Sequence, residues 1–352
     1  MVQVAKRSAL VLASAVFAAM VSGSALAAEV YSQDGTTLNI GGRAEFRGDF
    51  QGKDSGSKLD GTMENKSRFR LNVGGETQIS DNLTGFGFYE AEQTVQNTDK
   101  DNGGNNSANS NFKQRYMYAG IGTQFGAFSF GKQDTANVQV SKMTDIGTHT
   151  NKQKDFIDAG DEQVNNTIKY TGDFMDALVV EANFVASDEK SNNSYGISGI
   201  YQLPIGLGIG LGYSAGDLGE TAGQDNGSSN QIIGGLSYEI GSFYIAGSYT
   251  QGDINDKATG TDTKEFIGTE LAGHYKVGNG FRVIAAYNKS EVKDEIGDKT
   301  SKHDFVELTG RYDFNKSLRA YATYKINNLK ADSSALSEDA DNSLRLGLRY
   351  DF

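Results

Sequence analysis

Residues Asn342 to Phe352 read N-S-L-R-L-G-L-R-Y-D-F. Leu344, Leu346, Leu348, Tyr350 and Phe352 take every second position, with Ser343, Arg345, Gly347, Arg349 and Asp351 between them. Side chains of a strand alternate sides, so this stretch has one wholly apolar face and one polar, charged face. A soluble sheet turns such an apolar face to a core. A membrane barrel turns it to lipid and leaves the polar face to a wet interior.

The same period recurs along the chain. Leu38, Ile40, Gly42, Ala44 and Phe46 alternate with Asn39, Gly41, Arg43, Glu45 and Arg47, and Leu318, Ala320, Ala322, Tyr324 and Ile326 with Arg319, Tyr321, Thr323 and Lys325. Sixteen segments of this kind fall at about 36–50, 64–80, 83–93, 112–122, 126–133, 163–172, 177–187, 194–203, 207–216, 230–240, 242–252, 265–277, 280–292, 302–314, 317–328 and 342–352. Their connections alternate in length. Ser80-Asp81-Asn82, Pro204-Ile205-Gly206, Gly241, Gly278-Asn279 and Asn315-Lys316 are short, whereas 94–111 and 329–341 are long and polar. Short turns at one rim and long loops at the other are a membrane-barrel trait. An even strand count lets the first and last strands pair, leaving no open edge in lipid. The expected fold is therefore all-β, a 16-stranded antiparallel transmembrane β-barrel with short periplasmic turns and long extracellular loops.

Composition fits. Of 352 residues, 37% are hydrophobic, which is low, yet 17 Tyr and 19 Phe oppose disorder. No apolar run outside the N-terminus reaches the length of a spanning helix. There is no Cys, which removes disulfides and thiolate chemistry. The charge is −12; without Lys6 and Arg7 of the leader, 31 cations face 45 carboxylates, a balance of −14. Such an acidic chain is not expected to bind nucleic acid.

Residues 1–27 read as a cleaved secretory signal: Lys6 and Arg7, an apolar run from Leu10 to Met20, then Ala25-Leu26-Ala27 before Ala28. Residues 28–352 are expected to form one barrel domain, with no linker dividing them. Gly206, Gly208, Gly210 and Gly212 repeat every second residue with no helix following, so they mark a strand with one bare face rather than a phosphate loop. Asp99 to Gly104 hints at a calcium loop but has Ser110 in place of the closing Glu, and no metal or cofactor is expected.

The polar faces carry a basic wall: Arg43 and Arg47, Arg68 and Arg70, Lys113 and Arg115. A dry core could not hold such a group, because each unpaired buried charge costs several kcal/mol. A water-filled lumen with acids opposite can. Catalysis would need a nucleophile held against a base, and His149, His274 and His303 lie in no such motif. No enzyme is expected.

Several motifs resemble the trimeric general porins of Gram-negative outer membranes. Ala28-Glu29-Val30-Tyr31-Ser32-Gln33-Asp34-Gly35 is similar to the family's A-E-I-Y-N-K-D-G opening. Gly75-Glu76-Thr77-Gln78-Ile79 and Leu83-Thr84-Gly85 resemble its G-E-T-Q-I and L-T-G, and Phe128 to Lys132 resembles F-x-x-G-R with Lys for Arg. Tyr350 and Phe352 resemble its C-terminal signal for the barrel-assembly machinery.

The resemblance implies a homotrimer in outer-membrane lipid and lipopolysaccharide that passes small hydrophilic solutes. It implies an inward-folded third loop whose acids face a basic wall. Arg43, Arg70 and Arg115 match three basic positions of that wall, with Arg68 and Lys113 beside them; the fourth aligns with Gln163, and Lys169 lies further along. In the loop, taken as 134–162, Thr144-Asp145 matches the family's T-D, while Ile146-Gly147-Thr148-His149 replaces P-E-F-G-G. Asp145, Asp155, Asp158 and Asp161 are the acidic candidates, with Glu162 beside them and Lys142, Lys152 and Lys154 diluting them. The acidic balance and the missing arginine predict a weak cation preference. The alternatives are a substrate-selective porin, for oligosaccharides for example, which would show an aromatic ladder where only Tyr321 and Phe305 stand out, and an adhesin-like barrel acting through its loops.

Overall fold

The period of two is realised as strands that never meet a dry core. The computed structural model describes residues 27–52, 59–95, 110–257, 264–294, 298–329 and 342–352. In chain order the strands are β1 Ala28–Gln33, β2 Thr36–Gly52, β3 Leu59–Asn65, β4 Arg68–Ser80, β5 Leu83–Val95, β6 Ser110–Thr123 and β7 Gly126–Gln133. After a long inward loop come β8 Val164–Phe174, β9 Leu178–Val185, β10 Ser194–Gln202 and β11 Leu207–Asp217. Two two-residue strands, β12 Glu220–Thr221 and β13 Gln224–Asp225, form a separate hairpin. The rest are β14 Gly227–Ile240, β15 Phe243–Asp256, β16 Lys264–Gly278, β17 Phe281–Lys293, β18 Lys299–Asp313, β19 Leu318–Asn327 and β20 Ser343–Asp351.

Apart from β1, β3, β12 and β13, these are the sixteen expected strands, each antiparallel to its neighbours. The four short ones were not anticipated, since none carries a full alternating pattern. Residues 1–26 of the expected leader lie outside the described residues, as does the Asp99–Gly104 stretch.

Closure occurs on β2. Its Thr36–Glu45 half pairs with β4, and its Arg43–Gln51 half with β20. Where β20 ends, β1 takes over the same edge, from Gln33 opposite Thr36 to Ala28 opposite Ile40. Gly42 N donates to Phe352 O at 2.8 Å, and Phe352 N to Gly42 O at 3.1 Å. A Cβ at Gly42 would lie 2.2 Å from Arg70 O, so only glycine fits this seam. The turn Asn279-Gly280, with φ of 49° and 83°, is a two-residue hairpin of the kind that matches strand twist. It lies at the short-turn rim with Asp81-Asn82, Leu203 to Gly206 and Gly241.

Alternation sorts the two faces as expected. Leu346, Leu348 and Tyr350 are 38–49% exposed on the outside, while Ser343, Arg345 and Asp351 are 3–8% exposed inside. Glu45, Asp49, Glu90 and Glu92 are likewise buried on the lumen side. A sixteen-stranded barrel is wide enough to leave an aqueous channel between such groups.

The bare glycine face of β11 has an occupant. The third loop carries a one-turn helix, Val138–Ser141, and Val140 and Met143 rest against Gly210 and against Gly235 of β14. A Cβ at Gly210 would lie 3.0 Å from Met143 Sδ, and one at Gly212 2.4 Å from Asn137 Oδ1. Val140, Met143, Ile233 and Ala246 form a small apolar cluster there, joined by Ile200 and Tyr244.

Candidate functional site: the lumen constriction

Residues 134–163 leave β7, cross the lumen and return at β8. At the root of this third loop Asp134 accepts hydrogen bonds from Tyr116 Oη (2.9 Å), Lys142 Nζ (2.7 Å) and Gln163 N (3.1 Å). Burial alone would raise the Asp134 carboxyl, but Lys142, Lys169 and Tyr116 hold it at about 2. Beneath the helix, Ala136 N donates to Asn183 Oδ1, Asn137 Nδ2 to Ser214 Oγ, and Tyr244 Oη to Met143 O. Sequence complementarity with the wall therefore fixes the first half of the loop.

The tip is clamped by carboxylates. Thr148 N and His149 N donate to Glu307 Oε1 and Oε2 at 2.9 and 2.8 Å, and Asn151 N donates to Glu270 Oε2 at 2.8 Å. Glu307 and Glu270 are almost fully buried. From the other side, Arg47 and Arg345 donate to Thr148 O at 3.1 and 2.5 Å, and Arg345 also forks onto Asp49 with both distances 2.7 Å. His149 is kept neutral: burial, then Arg345, Lys325, Arg47 and Lys152, push it down to about 2.

Between loop and wall lies a cavity of about 720 Å³. On its wall Arg68 pairs with Glu45 at 2.5 Å, Arg70 with Glu92 and Glu90 at 2.5 and 3.3 Å, and Arg115 with Glu90 at 2.7 Å. Three arginines and three glutamates thus interlock across β2, β4, β5 and β6. Lys169 pairs with Glu181 at 2.7 Å. Arg43 and Arg47 also line the cavity but have no carboxylate partner among the described residues. On the loop, Asp145 accepts from Thr150 Oγ1 (2.8 Å) and Glu162 from Asn151 Nδ2 (2.6 Å), and among the described residues neither forms an ion pair with a cation. Burial and then Asp134 lift Glu162 above the ordinary glutamate range. Two unpaired arginines on the wall and two unpaired carboxylates on the loop border one lumen.

The expected residues divide accordingly. Arg43, Arg68, Arg70 and Arg115 line the cavity with Asp145. Lys113 does not: it is exposed, opposite Glu92. The register between β5 and β6 slips so that Glu90 faces Tyr116 and Ala91 faces Gln114, leaving Arg115 as the extra residue of a bulge. Arg115 and Tyr116 consequently both reach the lumen, which strict alternation forbids. Asp155, Asp158 and Asp161 are also absent from the lining. Asp155 pairs with Lys152 at 2.9 Å and, with Asp161, surrounds the buried Lys154; Asp161 sits 2.7 Å from Lys154 Nζ. Asp158 is exposed at a short 3-10 turn.

Sequence reasoning missed the acids that matter on the wall, Glu45, Glu90 and Glu92, and on the loop root, Asp134. Glu45 was visible between Arg43 and Arg47 on the same face, a signal for pairing across strands. Of the two aromatics noted, Tyr321 donates to Glu45 at 2.6 Å, while Phe305 packs edge-on to His149 and His303. Phe88 and Tyr118 pack at 5.5 Å, and Phe88 and Tyr116 at 6.2 Å, so these rings cover one another rather than form an open ladder. Phe352 stacks on Phe69 at 6.0 Å and on Tyr350 at 6.1 Å.

Comparison with known proteins agrees with this geometry. A family profile described as Gram-negative porin matches residues 13–333. Porin-like protein L of Photobacterium profundum is 35% identical over 97% of this chain and 98% of its own length. Outer membrane protein U of Vibrio parahaemolyticus is 34% identical, again over 97% and 98%. Among solved structures, the Salmonella typhi OmpF complex with daunomycin superposes with a TM-score of 0.75 at 19% identity, covering 92% of this chain and all of that one. The trimer form of OmpT from Vibrio cholerae gives 0.68 at 18% identity, over 91% and 100%. At those identities the likeness is one of fold.

Proposed function

The chain belongs to the Gram-negative porin family of outer-membrane barrels, and from that premise we propose that it is a general diffusion channel for ions and small hydrophilic solutes, not an enzyme. The observation that carries the reading is the charge arrangement of the lumen: Arg43 and Arg47 unpaired on the wall, Asp145 and Glu162 unpaired on the loop. Opposed charges set up a field across the opening. Polar solutes align their dipoles in it, whereas apolar solutes would have to displace ordered water.

Because these four charges balance, the constriction supports only a weak ion preference. The excess of carboxylates over the whole chain tips it towards cations. A general pore is favoured over an oligosaccharide-selective one because the lumen rings of Phe88, Tyr116 and Tyr118 pack at tilted angles on one another instead of lying open to a sugar. A homotrimer is the proposed assembly, supported by the apolar outer face of β2 and β4, where Leu38, Phe46, Phe69 and Leu71 are exposed. Swelling of proteoliposomes in isosmotic sugars tests the function. Uptake that falls steeply with solute size is expected; failure to swell in even the smallest sugar would oppose it.

A further inference from the structure

Towards the short-turn rim, below the third loop, the lumen wall carries a second set of cations. Arg311 of β18, Arg319 of β19, Arg349 of β20 and Arg43 of β2 all line the cavity. The register sets them side by side: Asp313 faces Arg319, Arg319 faces Arg349, and Arg43 faces Asp351. Asp313 accepts both arms of Arg311 at 2.8 and 3.0 Å. Asp351 is shared between Arg349 at 2.5 Å and Arg319 at 3.1 Å. Three of these guanidinium groups share Asp313 and Asp351, and among the described residues Arg43 forms no ion pair, so positive charge exceeds paired carboxylate along this wall.

The excess is concentrated on Arg43. Its Nε is buried without a hydrogen-bond partner, and no described carboxylate forms an ion pair with it. Arg70, Arg349 and Arg68 act on it as like charges, with Glu45 in opposition. Like charges gathered in this way on adjoining strands are destabilising unless an anion joins them. Planar guanidinium forks suit the oxygens of a phosphate, and several of them converging on few carboxylates suit a dianion better than a single charge.

We propose that Arg43, Arg319 and Arg349, with Arg311 behind them, form a station in the lumen that holds the phosphoryl dianion of a permeating solute. The station rests on the lumen being the solute path, and it specifies one solute class for that path. It is compatible with a weak cation preference, because a site that retains an anion slows that anion's passage. Free phosphate and a phosphomonoester would use the same oxygens; a monocarboxylate, with one negative charge, would not satisfy the set.

The test is single-channel recording of the full chain in planar bilayers in potassium chloride at pH 7.5, at constant ionic strength. Inorganic phosphate, glycerol phosphate or acetate is added in turn. Millimolar phosphate should interrupt the current, and acetate at the same concentration should not. Interruption by phosphate but not glycerol phosphate would restrict the station to the free ion. Arg319→Gln and Arg349→Gln should each weaken the phosphate effect by about tenfold, whereas Lys190→Gln, on an outer loop, should leave it unchanged. The step conductance of each variant reports whether it has folded. Channels that conduct but treat phosphate and acetate alike, or variants that retain the full phosphate effect, would overturn the station alone. Absence of any conductance would overturn the channel reading on which it rests.

Discussion

Gly147 lies directly against Glu307: a Cβ at Gly147 would come within 1.6 Å of Glu307 Oε1. The glycine lets the loop backbone close on a buried carboxylate, which then accepts the N–H groups of Thr148 and His149. The clamp fixes the loop tip across the lumen, and its geometry leaves no room for a side chain.

Glu307→Ala removes both acceptors and leaves two N–H groups without partners, a loss of about 2–4 kcal/mol. Gly147→Ala should loosen the same contact by steric force. Both variants should show noisier single-channel currents and a lower melting temperature than the parent, read by bilayer recording and by thermal unfolding. Quiet currents at full stability would place the tip's anchorage elsewhere.

Neutralising Arg70 leaves Glu90 and Glu92 with less compensation on the wall. Arg70→Gln should raise the potassium-to-chloride permeability ratio by roughly two- to threefold, as one charge in a partly screened lumen allows. Reversal potentials in a salt gradient measure this. An unchanged ratio would remove Arg70 from the ion path.

Glu162 gives the pore a pH response. Burial and Asp134 raise its carboxyl, so on acidification it takes up a proton at a higher pH than an ordinary glutamate near 4.3. The negative charge is present above that raised value and lost below it, so cation preference should begin to fall before exposed carboxylates titrate. Glu162→Gln should abolish this early step in reversal potential. Asp134 behaves oppositely. Its depressed value makes its contribution to stability full above about 3.9, the unfolded range, and lost only as pH falls towards about 2.

The glycine seat of the third loop is equally specific. Gly212→Val would drive side-chain atoms into Asn137, whose Oδ1 is 2.4 Å from the Cβ position. The helix Val138–Ser141 should lift from β11. A changed step conductance and protease cleavage within 134–163 are the expected outcomes, against an intact loop in the parent.

Removing Phe352 deletes the two backbone bonds to Gly42 and the stacking on Phe69. We expect slower membrane insertion and a smaller share of the proposed trimer by size-exclusion chromatography in detergent. Normal insertion would deny the C-terminal aromatic its proposed assembly role.

Much of this was legible from alternation alone. Leu344, Leu346, Leu348 and Tyr350 face outward and Arg345 inward because a strand has only two sides and the barrel uses both. Gly208, Gly210 and Gly212 announced a bare face, but its occupant lies some seventy residues earlier in the chain and only the tertiary fold joins them. The bulge at Arg115 defeated the period: one extra residue turned Tyr116 and Tyr118 inward beside Arg115, while Lys113, opposite Glu92, lies outside the cavity lining. Among the loop acids, sequence could not separate Asp145, which stays free for the lumen, from Asp155 and Asp161, which are consumed by Lys154. That distinction depends on which carboxylates meet a buried cation, a matter of packing rather than of residue type.

The central claim, an open water-filled pore bounded by Arg43 and Arg47 on one side and Asp145 and Glu162 on the other, is most directly tested by single-channel recording across a potassium chloride gradient. Stable open channels, closing in threes, with a small reversal potential of the sign for potassium are the predicted result. A purified, folded protein that leaves the bilayer resistance unchanged would contradict it.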